Sequence, residues 1–298
     1  MSYHNPVLLK ESVDGLNIKE NGIYVDVTFG GGGHSREILK RLGIDGKLVA
    51  FDQDEDAVVN AIDDERFTLV NENFRFITQF LKFYGIRKVD GILADFGVSS
   101  HQFDEAKRGF STRFDAALDM RMSKKATVSA YEVVNDYSQE DLSSVLFRYG
   151  DLRNANALAK AIVTARSNTA IKTTEELKKV LKGFLPKHRE HKILAQIYQA
   201  IRIEVNEEIK VIEEFLLQTP QLMDAGGRLS ILSYHSLEDR LVKRFIRSGQ
   251  FEGEPEKDFY GNVNVPFRKV GKLIVPSAEE IAKNNRARSA KLRVAERI

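Results

Sequence analysis

Four consecutive glycines, Gly30 to Gly33, separate a β-branched run that ends at Thr28 from a helix-forming stretch that begins near Ser35. A turn of this kind brings backbone close to a ligand where any Cβ would collide. About twenty residues further on, the apolar run KLVAF ends in Asp52, a carboxylate placed to accept both hydroxyls of a ribose. Two further runs end in polar clusters. One closes on Asp95 and continues through Phe96 and Gly97 to Ser99, Ser100, His101 and Gln102; the other runs out into Tyr234, His235, Ser236, Glu238 and Asp239. A carboxylate at the end of a buried strand faces the crevice of an open sheet, so Asp95 is the first candidate for a reacting group, with His235 and Glu238 behind it. Phe74, just past a third run that ends in NEN, is placed to lie flat against a purine.

Ordinary structural roles compete for several of these residues. Phe74 opens an amphipathic stretch and suits a core position equally well. Ser236 suits the N-cap of the helix that follows, with Asp239 at its third position. His188 and His191 have neither cysteine nor spaced carboxylates to complete a metal site and read as solvated helix-end residues. The glycine run itself fails two phosphate templates. Starting G-x-G-x-x-G at Gly30 or Gly31 puts Ser35 or Arg36 at its last position, and the Gly-Lys-Ser/Thr ending of a P-loop is missing. A nucleoside ligand without phosphates, such as S-adenosylmethionine, therefore suits the turn better than a nicotinamide dinucleotide.

The spacing of apolar residues shows which elements carry these positions. Strands are predicted over 23–28, 47–52, 67–71, 91–95 and 228–233, and helices over 35–42, 54–62, 74–84, 206–217 and 237–247. This strand and helix alternation predicts an α/β fold, a parallel sheet covered on both faces. Between about residues 103 and 205 it stops. That stretch predicts only helices, one starting near Ser138, one over 155–166 and one after Thr174, and reads as an inserted all-helical domain for substrate recognition. The core is then 1–102 with 206–298.

Composition narrows the chemistry. With 298 residues, 42% hydrophobic and 30% charged, the chain is large enough for more than one domain and is neither disordered nor membranous. No apolar run approaches the roughly eighteen residues needed to span a bilayer, and the start lacks a signal-peptide pattern, which predicts a cytoplasmic protein without a membrane partner. The chain has no cysteine, which excludes disulfides, thiolate metal sites and a thiol nucleophile. Methylation at carbon 5 of a pyrimidine ordinarily needs a covalent cysteine adduct, so a cysteine-free methyltransferase should act on nitrogen or oxygen. A net charge of +2 leaves nucleic-acid binding to local patches. Two are visible: Arg108, Arg113 and Arg121 beside Phe110 and Phe114, and a C-terminal run that includes Arg286, Arg288, Lys291, Arg293 and Arg297.

The blocks HNPVLL, DVTFGGGGHS, FDQD, DFGVSSHQ, RGFS, LDMRM, QAIRIEVNEE, GGRLSILSYHSLEDR and NNRARSAKLRVAER together resemble the MraW family, bacterial methyltransferases that act on the exocyclic N4 of a cytosine in 16S ribosomal RNA. The resemblance runs essentially end to end. It implies a Rossmann-like methyltransferase sheet with a helical insert, S-adenosylmethionine as donor, and decoding-region rRNA, in a small-subunit particle, as acceptor. A second copy of the chain is an open alternative as a further partner. Carried onto this sequence, it implies cofactor contacts at Gly32, Gly33, His34, Asp52, Phe74, Asp95 and Gln102. Small departures, such as Tyr234 where phenylalanine is usual, are conservative and put no assigned role in doubt. Many amino-methyltransferases carry Asp/Asn-Pro-Pro-Tyr after the fourth strand, whereas this chain has Asp95-Phe96-Gly97-Val98. Two other classes share parts of the pattern. An NAD-dependent oxidoreductase would use the glycine turn and Asp52, and a non-catalytic RNA-binding assembly protein would use the basic patches alone.

Overall fold

The computed structural model describes residues 6–253, 257, 259–261 and 264–298, with only the backbone of Ser100; His4 and Asn5 of the HNPVLL block lie outside them. The chain folds as two units, Met1–Gly97 with Ile209–Ile298, and Val98–Glu208.

The first unit carries a seven-stranded sheet of order β3-β2-β1-β4-β5-β7-β6. Strands β1 (Ile23–Asp26), β2 (Lys47–Phe51), β3 (Phe67–Val70), β4 (Val89–Asp95) and β5 (Met223–Ser233) are parallel. Strand β7 (Lys291–Arg297) runs antiparallel to both β5 and β6 (Phe267–Ile274). The order 3-2-1-4-5 is that of a Rossmann-like sheet, with its crevice where β1 and β4 part. Side chains alternate between two buried faces. Tyr24, Leu48 and Leu93 pack with Val13 of helix α1 (Leu9–Gly15), Leu16 just beyond it and Ile38 of α2 (Gly33–Arg41), while Val25, Val49 and Ile92 pack with Phe215 and Phe245 on the other face. Asp26 and Asp95 follow Tyr24 and Leu93 by two residues, so the strand period puts both carboxylates on the α2 face.

Helix α3 (Ile77–Phe83) is preceded by a separate 3-10 turn, Phe74–Phe76, and the helix expected over 54–62 is a 3-10 segment, Glu55–Asn60, capped by Asp54. Asn73 and Asp54 cap these segments, each accepting the N–H two residues on.

The second unit is helical. Its helices α4 (Ser100–Asp104), α5 (Ala130–Asp136), α6 (Gln139–Gly150), α7 (Ala155–Arg166), α8 (Thr174–Leu181) and α9 (Glu190–Val205) surround one apolar core that includes Leu142, Leu146, Leu158, Ile162, Leu177, Ile197 and Ile201. Ser138 caps α6 as predicted, while α8 is capped by Thr173 in a box with Glu176, one residue before the expected Thr174. Such caps contribute about 1 kcal/mol each. Helix α10 (Glu208–Leu222) leads back to β5, α11 (Ser236–Ser248) follows β5, and α12 (Ala278–Lys283) precedes β7.

The C-terminal basic run is not a free patch. Leu292 and Val294 of β7 are buried with Leu232, and the alternate residues Lys291 and Arg293 pair with Asp239 of α11 at 3.2 and 2.8 Å. Arg297 donates to the carbonyls of Pro220 and Pro266. Arg286 and Arg288, in the turn Asn285–Ser289, remain exposed.

Candidate active site

The glycine turn is held from both sides. Gly30 (φ 51°) and Gly32 (φ 75°) occupy the left-handed region that glycine enters without strain. Asp52 Oδ2 accepts the N–H of Gly30 at 2.7 Å, Asn60 Nδ2 donates to the Gly30 carbonyl at 3.0 Å, and Arg36 Nη1 donates to that of Gly31 at 2.5 Å. A Cβ on Gly33 would stand 2.1 Å from Pro6 Cγ, so this glycine also admits the segment that leads into α1. The helix opens at Gly33 with Gly32 as its cap; Ser35, read as its start, instead donates to Asp26 Oδ2 at 2.6 Å.

Asp26 and His34, both buried, and the part-exposed Asp95 form the polar centre. Asp26 is fully buried, also accepts the N–H of Thr28 at 3.1 Å, and is raised by burial against the favourable charge of His34. His34 Nδ1 lies 3.9 Å from Asp95 Oδ2. Burial pushes Asp95 up to about 6, opposed by His34 and by a hydrogen bond from the Tyr234 hydroxyl, and reinforced by the negative charges of Asp26 and Glu238. Two atoms here, His34 Nε2 and Asp95 Oδ1, are buried and have no hydrogen-bond partner among the described residues. Buried polar atoms are nearly always partnered, so two orphans on one cluster mark a site that a ligand completes. Sequence reasoning missed Asp26, although an acid closing the first strand, next to the glycines, was a usable signal.

Asp52 holds the neighbouring position, at the end of β2. It accepts Gly30 N–H and Asp54 N–H, one on each oxygen, which leaves carboxylate lone pairs for a ribose. Burial raises it to about 6, against those two N–H donors. Phe74 is half-buried, stacked on Phe96 with centroids 6.0 Å apart and edge-on to Phe215 at 5.3 Å. The packing that makes it a core residue also fixes the ring beside the ends of β2 and β4, so the two readings of Phe74 are compatible.

At the end of β5 the cap is His235 and not Ser236. His235 Nδ1 accepts the N–H of Glu238 at 3.4 Å, and Glu238 Oε2 accepts the N–H of His235 at 3.2 Å and of Tyr234 at 2.7 Å. His235 Nε2 lies 2.9 Å from Glu238 Oε1, and Glu238 is fully buried. These two residues therefore build the turn, while Asp239 is committed to Lys291 and Arg293.

In the helical unit, Gln102 is buried and forms a capping box with Ser99. The RGFS, LDMRM and QAIRIEVNEE blocks knit one loop together. Arg108 Nη2 donates to the carbonyls of Arg121 and Met122 and its guanidinium stacks on Phe110 at 5.6 Å; Arg121 pairs with Asp119 and donates to the Ala126 carbonyl. Asn206 bridges Met120 and Met122, and Arg202 grips Glu208 with two hydrogen bonds, 2.7 and 2.9 Å. Of the three arginines proposed for RNA from the sequence, Arg113 alone is exposed, beside the exposed Phe114; Phe110 is buried. Arg108→Ala should consequently lower stability by about 1–2 kcal/mol, because it removes the donor to two part-buried carbonyls. Arg113→Ala should leave the thermal midpoint unchanged and weaken RNA binding with a shallower salt dependence. Thermal denaturation beside RNA titrations at two salt concentrations checks both.

Known proteins add an independent line. Over residues 1–298 the chain matches the model of the MraW methylase family. It is 69% identical over 298 residues to the ribosomal RNA small subunit methyltransferase H of Christiangramia forsetii, covering 100% of this chain and 99% of the relative. The protein of the same name from Bacteroides thetaiotaomicron is 53% identical over 298 residues, 100% of this chain and 98% of the relative. Among solved structures, an rRNA methylase from Streptococcus thermophilus aligns with a TM-score of 0.42 and 12% identity, over 100% of this chain and 99% of that one. Match and relatives both span the chain from end to end: it belongs to the MraW methylase family.

Proposed function

We propose that this protein transfers a methyl group from S-adenosylmethionine to the exocyclic N4 of a cytosine in the decoding region of 16S ribosomal RNA. The coarser part of that statement, an S-adenosylmethionine-dependent methyltransferase of small-subunit rRNA, follows from its family and relatives. Family membership likewise removes the nicotinamide and non-catalytic alternatives. The observation that supports the finer part is the part-exposed carboxylate of Asp95 at the carboxyl end of β4, beside the buried His34, in a chain without cysteine.

When bound, S-adenosylmethionine supplies a methyl group already activated by its sulfonium, so the protein's task is placement. Asp52 would hold the ribose, the face of Phe74 the adenine, and the glycine turn with His34 the remainder. The amine of cytosine is a poor nucleophile because its lone pair is delocalised into the ring. A carboxylate that accepts one amine hydrogen localises that pair and stabilises the positive charge that develops on nitrogen during transfer. Asp95 is placed for this role. His235 and Glu238 contribute by fixing the turn that carries Tyr234. No helix among the described residues is long and apolar enough to cross a membrane, and RNA contact is assigned to exposed cations, Arg113, Arg286 and Arg288. A base paired in a helix cannot reach a buried donor, so the target cytosine must be unpaired or flipped out.

Incubation of the protein with methyl-labelled S-adenosylmethionine and small-subunit rRNA, followed by digestion to nucleosides, tests the assignment. Label eluting with N4-methylcytidine is expected, and label in 5-methylcytidine or a 2′-O-methyl nucleoside would refute it.

A further inference from the structure

We propose that the exposed face of α11 is a phosphate track that holds an unpaired stretch of the RNA substrate beside the crevice; this rests on the small-subunit rRNA substrate given above. The sequence of α11, SLEDRLVKRFIRS, divides into two faces. Val242, Phe245 and Ile246 are buried in one core with Phe215 and Phe267. The exposed residues are Ser236, Arg240, Lys243 and Arg247, at i, i+4, i+7 and i+11, so they form a single stripe along the helix. Apart from the serine every member is a cation. The acids of α11 lie elsewhere: Glu238 is buried and holds the N–H groups of Tyr234 and His235, and Asp239 is bound by Lys291 and Arg293. Among the described residues Arg240, Lys243 and Arg247 have no ion pair or hydrogen bond, in contrast to Arg121 and Arg293, whose charges the fold itself consumes.

The stripe begins at the site. Leu232 pairs in register with Asp95, and α11 opens at Ser236, just past the end of β5 at Ser233. With a rise of about 1.5 Å per residue, Arg240 stands about 6 Å and Arg247 about 16 Å along the helix from that start. Neighbouring strands add charge of the same sign. Lys269 of β6 is exposed and follows the buried Phe267, whose ring lies 6.0 Å from Phe245 of α11, by the two residues that put it on the same side of the sheet. Lys291 and Arg293 together outweigh Asp239. Arg286 and Arg288 belong to a different surface, because Ala287 between them packs with Leu232 and Val294, on the sheet face opposite Phe245. A phosphate backbone is the occupant that fits this face. The core of a protein interface is apolar or aromatic and poor in charge, and a helix that lies on a membrane inserts its apolar face, which α11 has already buried against the sheet. A row of unpaired cations leading away from a crevice holds the phosphates of one strand, fixes its register and leaves its bases free to enter the site.

The test is the salt dependence of binding to protein-free small-subunit rRNA in a protein carrying Arg240→Gln, Lys243→Gln and Arg247→Gln together. Each lost phosphate contact on a single strand should flatten the plot of log K against log salt by about 0.7, so the triple variant should lose a slope of about 2. Affinity at low salt should fall at least tenfold, and the KM for rRNA should rise, while the thermal midpoint and the affinity for S-adenosylmethionine stay at wild type. Exchanging the charges without removing them, Arg240→Lys with Lys243→Arg and Arg247→Lys, should restore the slope, which a merely structural role would not predict. Lys243→Glu alone should move the slope in the same direction, and it decides the matter if the triple variant is unstable. Wild-type slope and affinity in a folded variant would overturn the track. So would normal binding of protein-free rRNA beside a loss of methylation confined to the assembled small-subunit particle, which would give the face to a protein. Failure of the functional reading is distinct: it would show as wild-type protein that binds rRNA but forms no N4-methylcytidine, whereas N4-methylcytidine formed with an unchanged KM for rRNA in the triple variant would overturn only the role given to α11.

Discussion

Asp95→Asn is expected to lose methyl transfer by at least about a hundredfold, comparable to removing one preorganised partner of a transition-state charge, and yet to unfold at a higher temperature than the wild type at pH 8. The two effects share one cause. Burial raises the Asp95 carboxyl from an ordinary 3.8 to about 6. A raised acid contributes fully to stability below its unfolded value and loses that contribution as pH climbs through its folded value. Between about pH 4 and 6 the ligand-free protein should thus give up on the order of 3 kcal/mol through this one group, by the usual 1.36 kcal/mol per pH unit. The carboxamide has nothing to ionise. Its advantage should vanish near pH 4 and grow to a plateau above pH 6, which thermal midpoints across that range will show. A variant that is inactive but no more stable at pH 8 would mean that Asp95 does not ionise at a cost in the free enzyme.

Asp52→Ala is expected to weaken S-adenosylmethionine binding at least tenfold by calorimetry. Hydrogen bonds to a charged carboxylate contribute about 1.5–3 kcal/mol each, and a ribose would make two. The loss has a second source, since Asp52 also anchors the Gly30 and Asp54 N–H groups. Asp52→Asn, which retains one acceptor oxygen, should fall between wild type and alanine. Wild-type affinity in a folded Asp52→Ala protein would take this residue out of the site.

The contrast between Asp52 and Tyr234 shows what the sequence made legible. Asp52 closes an apolar run at a fixed distance from a glycine turn, and both signals are local. The five parallel strands were legible for the same reason, as short apolar runs bounded by turn residues. Tyr234 was legible as a polar residue at a strand end, but its neighbourhood with Asp95 was not, because Asp95 lies 139 residues earlier in the chain and comes into reach only through the pairing of β4 with β5. Strands β6 and β7 were hidden by charge: alternating lysines and arginines looked like a solvated tail, although Leu292 and Val294 kept the period of two that a half-buried strand requires. The arginines of the helical unit misled in the same direction. Arg108 and Arg121 read as phosphate ligands until the left-handed turn at Met120 brought carbonyls and Asp119 to them. A cation's partner, like a carboxylate's, is a property of the fold.

The claim that the acceptor is an exocyclic nitrogen can be measured directly. Small-subunit rRNA carrying nitrogen-15 in the amino group of its cytosines, methylated by this protein from carbon-13-labelled S-adenosylmethionine, should give a product whose new methyl carbon couples through one bond to that nitrogen. A methyl signal without that coupling, at carbon 5, a ring nitrogen or a ribose oxygen, would contradict the account.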